Sequence, residues 1–313
     1  MSVAVEADGV AKLYGRLVAV DDLTFSVEAG EILGVLGPNG AGKTTAIRVL
    51  TTLLAASRGS FAVAGIPHNR PEEIRRRIGV LPESAGYPER QTGEEFVRYH
   101  ARLHGHTRAS AAAVAGHLLE EVGLHVRSRA LIGSYSRGMR QRLGLARALV
   151  SEPEVVFLDE PTLGLDPAGQ RQVLSLVRRI AGGRGATVLL STHLLAEVEE
   201  VCSRVLILNR GRVAAAGTVS EVARRAAAPR SARLRVPPER FDEALRVLAS
   251  APAVGHLAPA DGHAGSVTAT LEPGTSDGLE PLRLLVEAGV SVLSFELEGA
   301  RLSDAFLAMT EAD

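Results

Sequence analysis

The chain carries Glu31-Ile32-Leu33-Gly34-Val35-Leu36-Gly37-Pro38-Asn39-Gly40-Ala41-Gly42-Lys43-Thr44, an apolar run leading into a glycine-rich turn that ends on a lysine and a hydroxyl. The apolar run has the composition of a strand buried on both faces, and Thr44 to Leu54 reads as a helix. Between them, Gly37 to Thr44 matches G-x-x-x-x-G-K-[ST], expected by chance on the order of 0.002 times in a chain of this composition. Glycines let successive backbone N–H groups curl around phosphate oxygens, so Gly37, Pro38, Asn39, Gly40, Ala41 and Gly42 are candidate phosphate-binding residues. The N-terminus of the following helix adds positive potential. Lys43 is placed to reach the outer phosphates, Thr44 to ligate Mg²⁺, and Thr45 closes the candidate loop.

Working outward, Ile78 to Leu81, Val155 to Leu158, Thr187 to Leu190 and Val205 to Leu208 read as short buried strands separated by helices or loops. That alternation predicts an α/β fold with a largely parallel sheet covered on both faces. Thr92 and Glu95 form a T-x-x-E capping box for a helix through Leu103, and Ala111 to Val122 is a second helical segment. Met139 to Val150 sets Met139, Leu143, Ala146 and Val150 on one face of a third. Two β-rich runs, Ser2 to Glu6 and Val18 to Val27, precede the loop.

The strand at Val155 ends in Asp159 and Glu160. Alone, such a strand end also fits two solvated acids. Beside a phosphate loop, Asp159 is suited to hold Mg²⁺ through its water shell and Glu160 to act as general base toward an attacking water. His193, just after the strand at Thr187, is placed to donate a hydrogen bond to a terminal phosphate; a lone histidine otherwise has a structural role.

Composition narrows the function further. Lys+Arg 35 against Asp+Glu 36 leaves a net charge of -1, which gives no support to nucleic-acid binding. Only Lys12 and Lys43 among the basic residues are lysine. At Lys43 the choice has a reason, because arginine's wide fork does not fit a narrow ring of backbone amides; Lys12 shows no such requirement. The single cysteine, Cys202, excludes an internal disulfide and favours a reducing, cytoplasmic setting. No run approaches the ~18 apolar residues that span a bilayer, so work at a membrane would need a separate spanning chain.

Tyr135-Ser136-Arg137-Gly138-Met139-Arg140-Gln141 resembles the LSGGQ element of ABC transporter ATP-binding subunits, and the acid pair follows it within ~20 residues. The chain resembles those subunits over essentially its full length, in the antibiotic, multidrug and sodium exporter branch. The resemblance implies a P-loop NTPase domain of the ABC ATPase type, with an N-terminal antiparallel β subdomain and a helical subdomain at about 84–150 that meets a transmembrane permease subunit. It implies ATP and Mg²⁺ as ligands. Pro161-Thr162-Leu163-Gly164-Leu165-Asp166 looks like the D-loop, His193 like the switch histidine, and Tyr14 like the aromatic that stacks on adenine. Ser136 and Gly138 would close on ATP held by the opposite subunit's phosphate loop. Head-to-tail dimerisation follows, as a homodimer or with a paralogue, peripheral on the inner face of the membrane.

Two positions depart from the family pattern. Arg137 replaces the first glycine of LSGGQ, where it either supplies an extra cation near phosphate or points to solvent, and Met139 replaces the glutamine. Glu83 stands where the Q-loop glutamine is expected; a carboxylate there can contact Mg²⁺ or its water, or be simply solvated.

The composition shifts to Ala, Arg and Pro after Ala223, which predicts an ATP-binding domain at 1–222, a linker at 223–231 and an accessory domain at 232–313. The latter reads β-α-β-β-α-β, the order of a small α+β ferredoxin-like sandwich. An importer subunit is the nearest rival, against which this accessory domain is the main argument, and ribosome-acting relatives normally hold two ATPase units per chain. An ATPase driving export is therefore the leading expectation.

Overall fold

Strand Ile32–Leu36 is buried along its whole length inside a six-stranded sheet. The strand order is Arg212–Thr218, Arg204–Asn209, Ile32–Leu36, Thr187–Thr192, Val155–Asp159, Ile78–Leu81. All neighbours pair in parallel except the edge strand Arg212–Thr218. The molecule is seen in a computed structural model that describes residues 2–225, 231–259, 265–271, 279–298 and 302–310. Its chain divides into two compact units, Met1–Val219 and Ser220–Asp313.

The period-two geometry of the strands builds two apolar cores in the first unit, one on each face of this sheet. Leu33, Val35, Phe157 and Leu189 point into a core shared with helix Lys43–Leu50 and the N-terminal strands. Ile32, Val156, Leu158, Val188 and Leu190 point into the other, shared with helices Gly93–Leu103, Arg108–Glu121, Arg137–Ala148 and Pro167–Arg184. Burial on both faces explains why these strands read as unbroken apolar runs.

A second, antiparallel sheet has the order Leu17–Glu28, Val3–Tyr14, Arg58–Val63, Ile66–Pro67. Its first strand runs to Tyr14 rather than stopping at Glu6. The ladder with Leu17–Glu28 slips between Ala7 and Val10, where Gly9 adopts φ 58°, and this bulge breaks the alternation that marks a strand in sequence.

The capping box at Thr92 and Glu95 forms as expected. Helix Lys43–Leu50 is shorter than the predicted Thr44 to Leu54, because the Thr51 hydroxyl returns to the Ile47 carbonyl at 2.8 Å and Thr52 takes φ 60°. Helix Arg137–Ala148 starts before the predicted Met139, with Ser136 as its N-cap. Arg108–Glu121 likewise begins before Ala111, capped by Thr107.

In the second unit four antiparallel strands lie in the order Val254–Pro259, Ser266–Leu271, Ser231–Arg235, Ser294–Glu298. Helices Phe241–Ala249, Glu280–Glu287 and Leu302–Thr310 accompany them. Leu234, Leu248, Val267, Leu271 and Leu285 form its core. The last strand begins at Ser294, not at Val290. Val290 instead ends the preceding helix: its N–H donates to the Leu285 carbonyl at 2.9 Å and Gly289 turns left-handed at φ 73°. Of the predicted linker at 223–231, helix Val219–Arg225 takes the beginning and residues 226–230 lie outside the described residues, as do 260–264 between two of the strands.

Candidate functional site

The turn after Ile32–Leu36 closes tightly because two of its glycines have no room for a side chain. A methyl group on Gly37 would stand 2.5 Å from the Leu208 carbonyl oxygen, and one on Gly42 would stand 2.5 Å from that of Ala19. Gly42 also adopts φ 101°, which directs the chain into helix Lys43–Leu50. Lys43 is only 6% exposed and folds back over its own loop, donating to the Gly37 carbonyl at 2.7 Å and to that of Pro38 at 3.3 Å. Gly37 and Pro38 thus hold the ammonium, while Asn39, Gly40, Ala41, Gly42, Lys43, Thr44 and Thr45 line an open cleft of about 500 Å³.

The two acids leave strand Val155–Asp159 in different directions. Asp159 stays buried and its Oδ1 accepts two hydroxyl hydrogen bonds, from Thr44 at 3.1 Å and Ser191 at 2.6 Å. Glu160 turns out of the strand at φ 48°, an uncommon conformation for a residue with a Cβ. Its N–H is held by Ser191 on the neighbouring strand, at 3.0 Å to the hydroxyl and 3.1 Å to the carbonyl. That turn sends its carboxylate into the cleft, with Oε1 3.4 Å from Lys43 Nζ and Oε2 2.8 Å from His193 Nδ1. The result is a largely buried carboxylate fixed between a cation and an imidazole at the mouth of the loop, an arrangement able to accept a proton from a water positioned beside a bound phosphate.

Glu83 is exposed and stands at the cleft wall. Thr44, Asp159 and Glu83 offer only oxygen donors, the set that Mg²⁺ prefers. Among the described residues no group of three or more His, Cys, Asp and Glu side chains converges to cage a metal. A cation that keeps its waters and shares phosphate oxygens fits these residues better than one bound wholly by protein.

Tyr14 does not line this cleft; Leu17, Val18 and Ala19 from the same hairpin form its apolar wall, together with Leu163. Tyr14 is 44% exposed, and Lys12 Nζ sits 5.5 Å from its ring centroid while donating to the Ala55 carbonyl at 2.9 Å. Lys12 thus ties its strand to Ala55 beside the tyrosine ring, a contact no sequence pattern marked.

Ser136 and Gly138 lie outside the cleft lining. The Ser136 hydroxyl accepts the Met139 N–H at 3.2 Å. Of its two expected courses Arg137 takes the second: it is exposed and outside the cleft lining, with its guanidinium lying along Gly164, where an added methyl would come within 2.7 Å of Cζ. Buried Gln141 donates to the Pro161 carbonyl at 2.8 Å. Both contacts tie helix Arg137–Ala148 to the loop at Pro161 to Asp166. Ser191 and Gln141 are site-building residues that the sequence reading missed.

Comparison with known proteins follows the same lines. Residues 20–163 match the family described as ABC transporter. The chain is 38% identical to the daunorubicin resistance ATP-binding protein DrrA3 of Streptomyces coeruleorubidus, over 99% of this chain and 96% of that one. It is 39% identical to a Nod factor export ATP-binding protein I of Paraburkholderia xenovorans, over 69% and 71%. A solved ATP-binding subunit of an ABC transporter superposes with a TM-score of 0.64 at 34% identity, covering 71% of this chain and 92% of that structure.

Proposed function

The chain belongs to the ABC transporter family of ATP-binding proteins, and from that premise we propose that ATP hydrolysed at Glu160 powers export through a separate membrane-spanning subunit. The observation that carries the catalytic assignment is the Glu160 carboxylate, 3.4 Å from Lys43 and 2.8 Å from His193 at the phosphate loop.

The backbone N–H groups of the loop bind the phosphate chain, and the incoming phosphates compete with the Gly37 carbonyl for the Lys43 ammonium. Thr44 and Asp159 would hold Mg²⁺, with Glu83 at the rim; when bound, the ion neutralises charge on the β- and γ-phosphate oxygens. Glu160 takes a proton from water as the water oxygen bonds to the γ-phosphorus and the bridging P–O bond breaks toward ADP. His193 holds Glu160 through Nδ1 and is placed to contact the γ-phosphate. Leu17 and Val18 offer an apolar wall to the base, with Tyr14 beside them on the hairpin.

Ser136, Gly138 and the start of helix Arg137–Ala148 stand apart from the chain's own cleft, which supports a head-to-tail dimer. There each copy, or a paralogue, would present this polar helix end to the other's ATP. Among the described residues no helix is long and apolar enough to cross a membrane, which supports a peripheral subunit on the inner face beside a permease. The names of the relatives, daunorubicin resistance and Nod factor export, support an exporter. Alignment with the former over essentially the whole chain argues against an importer. The test is location: the chain should enter the membrane fraction only when a multi-span partner is co-expressed, and its recovery on ribosomes instead would overturn the reading.

A further inference from the structure

Strand Thr187–Thr192 passes through His193 and Leu194 into the short helix Leu195–Val201. The turn between them is closed by side chains. Thr192, fully buried, donates its hydroxyl proton to Glu197 Oε2 at 2.7 Å and accepts the Leu194 N–H at 3.0 Å, so the Thr192 hydroxyl that holds the residue after His193 is itself fixed by the Glu197 carboxylate. Glu197 is 4% exposed, and its other oxygen, Oε1, is buried with no hydrogen-bond partner. Burying a carboxylate with half of its acceptors unsatisfied is costly, and an apolar side chain would fill the same space at lower cost. What the carboxylate supplies in return is the hydrogen bond to Thr192.

We propose that Glu197 is a positioning residue for His193: through Thr192 it fixes the turn that sets His193 Nδ1 on Glu160. The inference rests on the reading of His193 and Glu160 as parts of the hydrolytic site. Its chemistry requires an acceptor at position 197 and nothing more, because the glutamine amide oxygen can also accept the Thr192 hydroxyl proton.

The experiment measures steady-state ATP hydrolysis of the full chain in E197A, E197Q, H193A and E197A/H193A, with T192V breaking the same hydrogen bond should E197A fail to fold. E197A, or T192V in its place, should lower kcat about tenfold or more with KM for ATP within about threefold, while E197Q stays within about threefold of wild type. In the H193A background E197A should cost less than about twofold further, since a residue acting through His193 has nothing left to position. Where H193A turnover is at the detection floor, the His193 ring resonance in histidine-labelled protein gives the answer: displaced in E197A and restored in E197Q. Wild-type turnover in E197A, an undiminished loss on top of H193A, E197Q as impaired as E197A, or an unmoved His193 resonance would each overturn the proposal. Wild-type turnover in H193A itself would remove the reading on which it rests, whereas a loss in H193A with none in E197A would defeat the Glu197 proposal alone.

Discussion

His193 Nδ1 lies 2.8 Å from Glu160 Oε2, while the other oxygen of the same carboxylate faces Lys43 at 3.4 Å. Glu160 can keep both contacts only because it leaves its strand at φ 48°, held there by Ser191. A backbone conformation this uncommon persists where surrounding hydrogen bonds over-determine it. Here it puts a carboxylate against the glycine-rich loop.

Glu160→Gln keeps size and shape and removes the basic oxygen. Hydrolysis should fall by roughly 10²- to 10⁴-fold with ATP binding retained, the loss expected for a general base. Parallel measurements of turnover and of nucleotide affinity check it, and normal turnover would refute the assignment.

Lys43→Arg preserves charge but not fit. The ammonium sits under two carbonyls of its own loop, at 2.7 and 3.3 Å, in a turn where Gly37 and Gly42 have no space even for a methyl group. A planar guanidinium cannot occupy that point without opening the loop. ATP hydrolysis should be lost in the variant, and turnover near wild type would show that charge alone suffices.

How much of this was legible beforehand follows from the range of each interaction. The loop Gly37 to Thr44 is a local signal, and the strands around it are buried on both faces, so each reads as an unbroken apolar run. The sequence signal of strand Val3–Tyr14 stops early because its bulge at Gly9 destroys the alternation. Helix Pro167–Arg184 carries its start signal in the open, Asp166 as N-cap followed by Pro167, although the stretch before it resembles a loop motif alone. Ser191, Gln141 and Glu197 had no such signal. They are ordinary polar residues in a strand and two helices, and their importance arises from partners brought close by the sheet and by helix packing.

Arg137→Gly should leave ATP turnover within about tenfold, because the guanidinium lies on Gly164 of its own chain and does not reach the cleft. Gly164→Ala should be the more harmful change. It places a Cβ at φ 70° and within 2.7 Å of Arg137 Cζ, so strain adds to a clash with a flexible side chain. Strain of this kind costs about 1–2 kcal/mol. Because the guanidinium is the far end of an exposed, flexible side chain, the strain should dominate: adding Arg137→Gly to the Gly164→Ala variant should recover little thermal stability, and recovery of most of it would show that the clash governs.

Acid should weaken the helical part of the first unit through His100. Its ring meets Phe96 edge-on at 4.6 Å, and its pKa is pushed down from 6.5 to about 4, by burial first, then by Arg147 and His104. Between these values the unfolded chain binds a proton that the folded ring refuses, so the stabilising contribution is complete above about pH 6.5 and is lost as pH falls toward 4. The ring is only half-buried, and solvent screening reduces the loss to about 1–2 kcal/mol. Urea unfolding at pH 7.5 and at pH 5 measures it. His100→Gln cannot take up the proton, while every other titrating group is unchanged, so the difference between the two proteins isolates this ring. The variant should lose less stability over that interval than the wild type; an equal loss would mean that His100 titrates as freely in the folded chain as in the unfolded one.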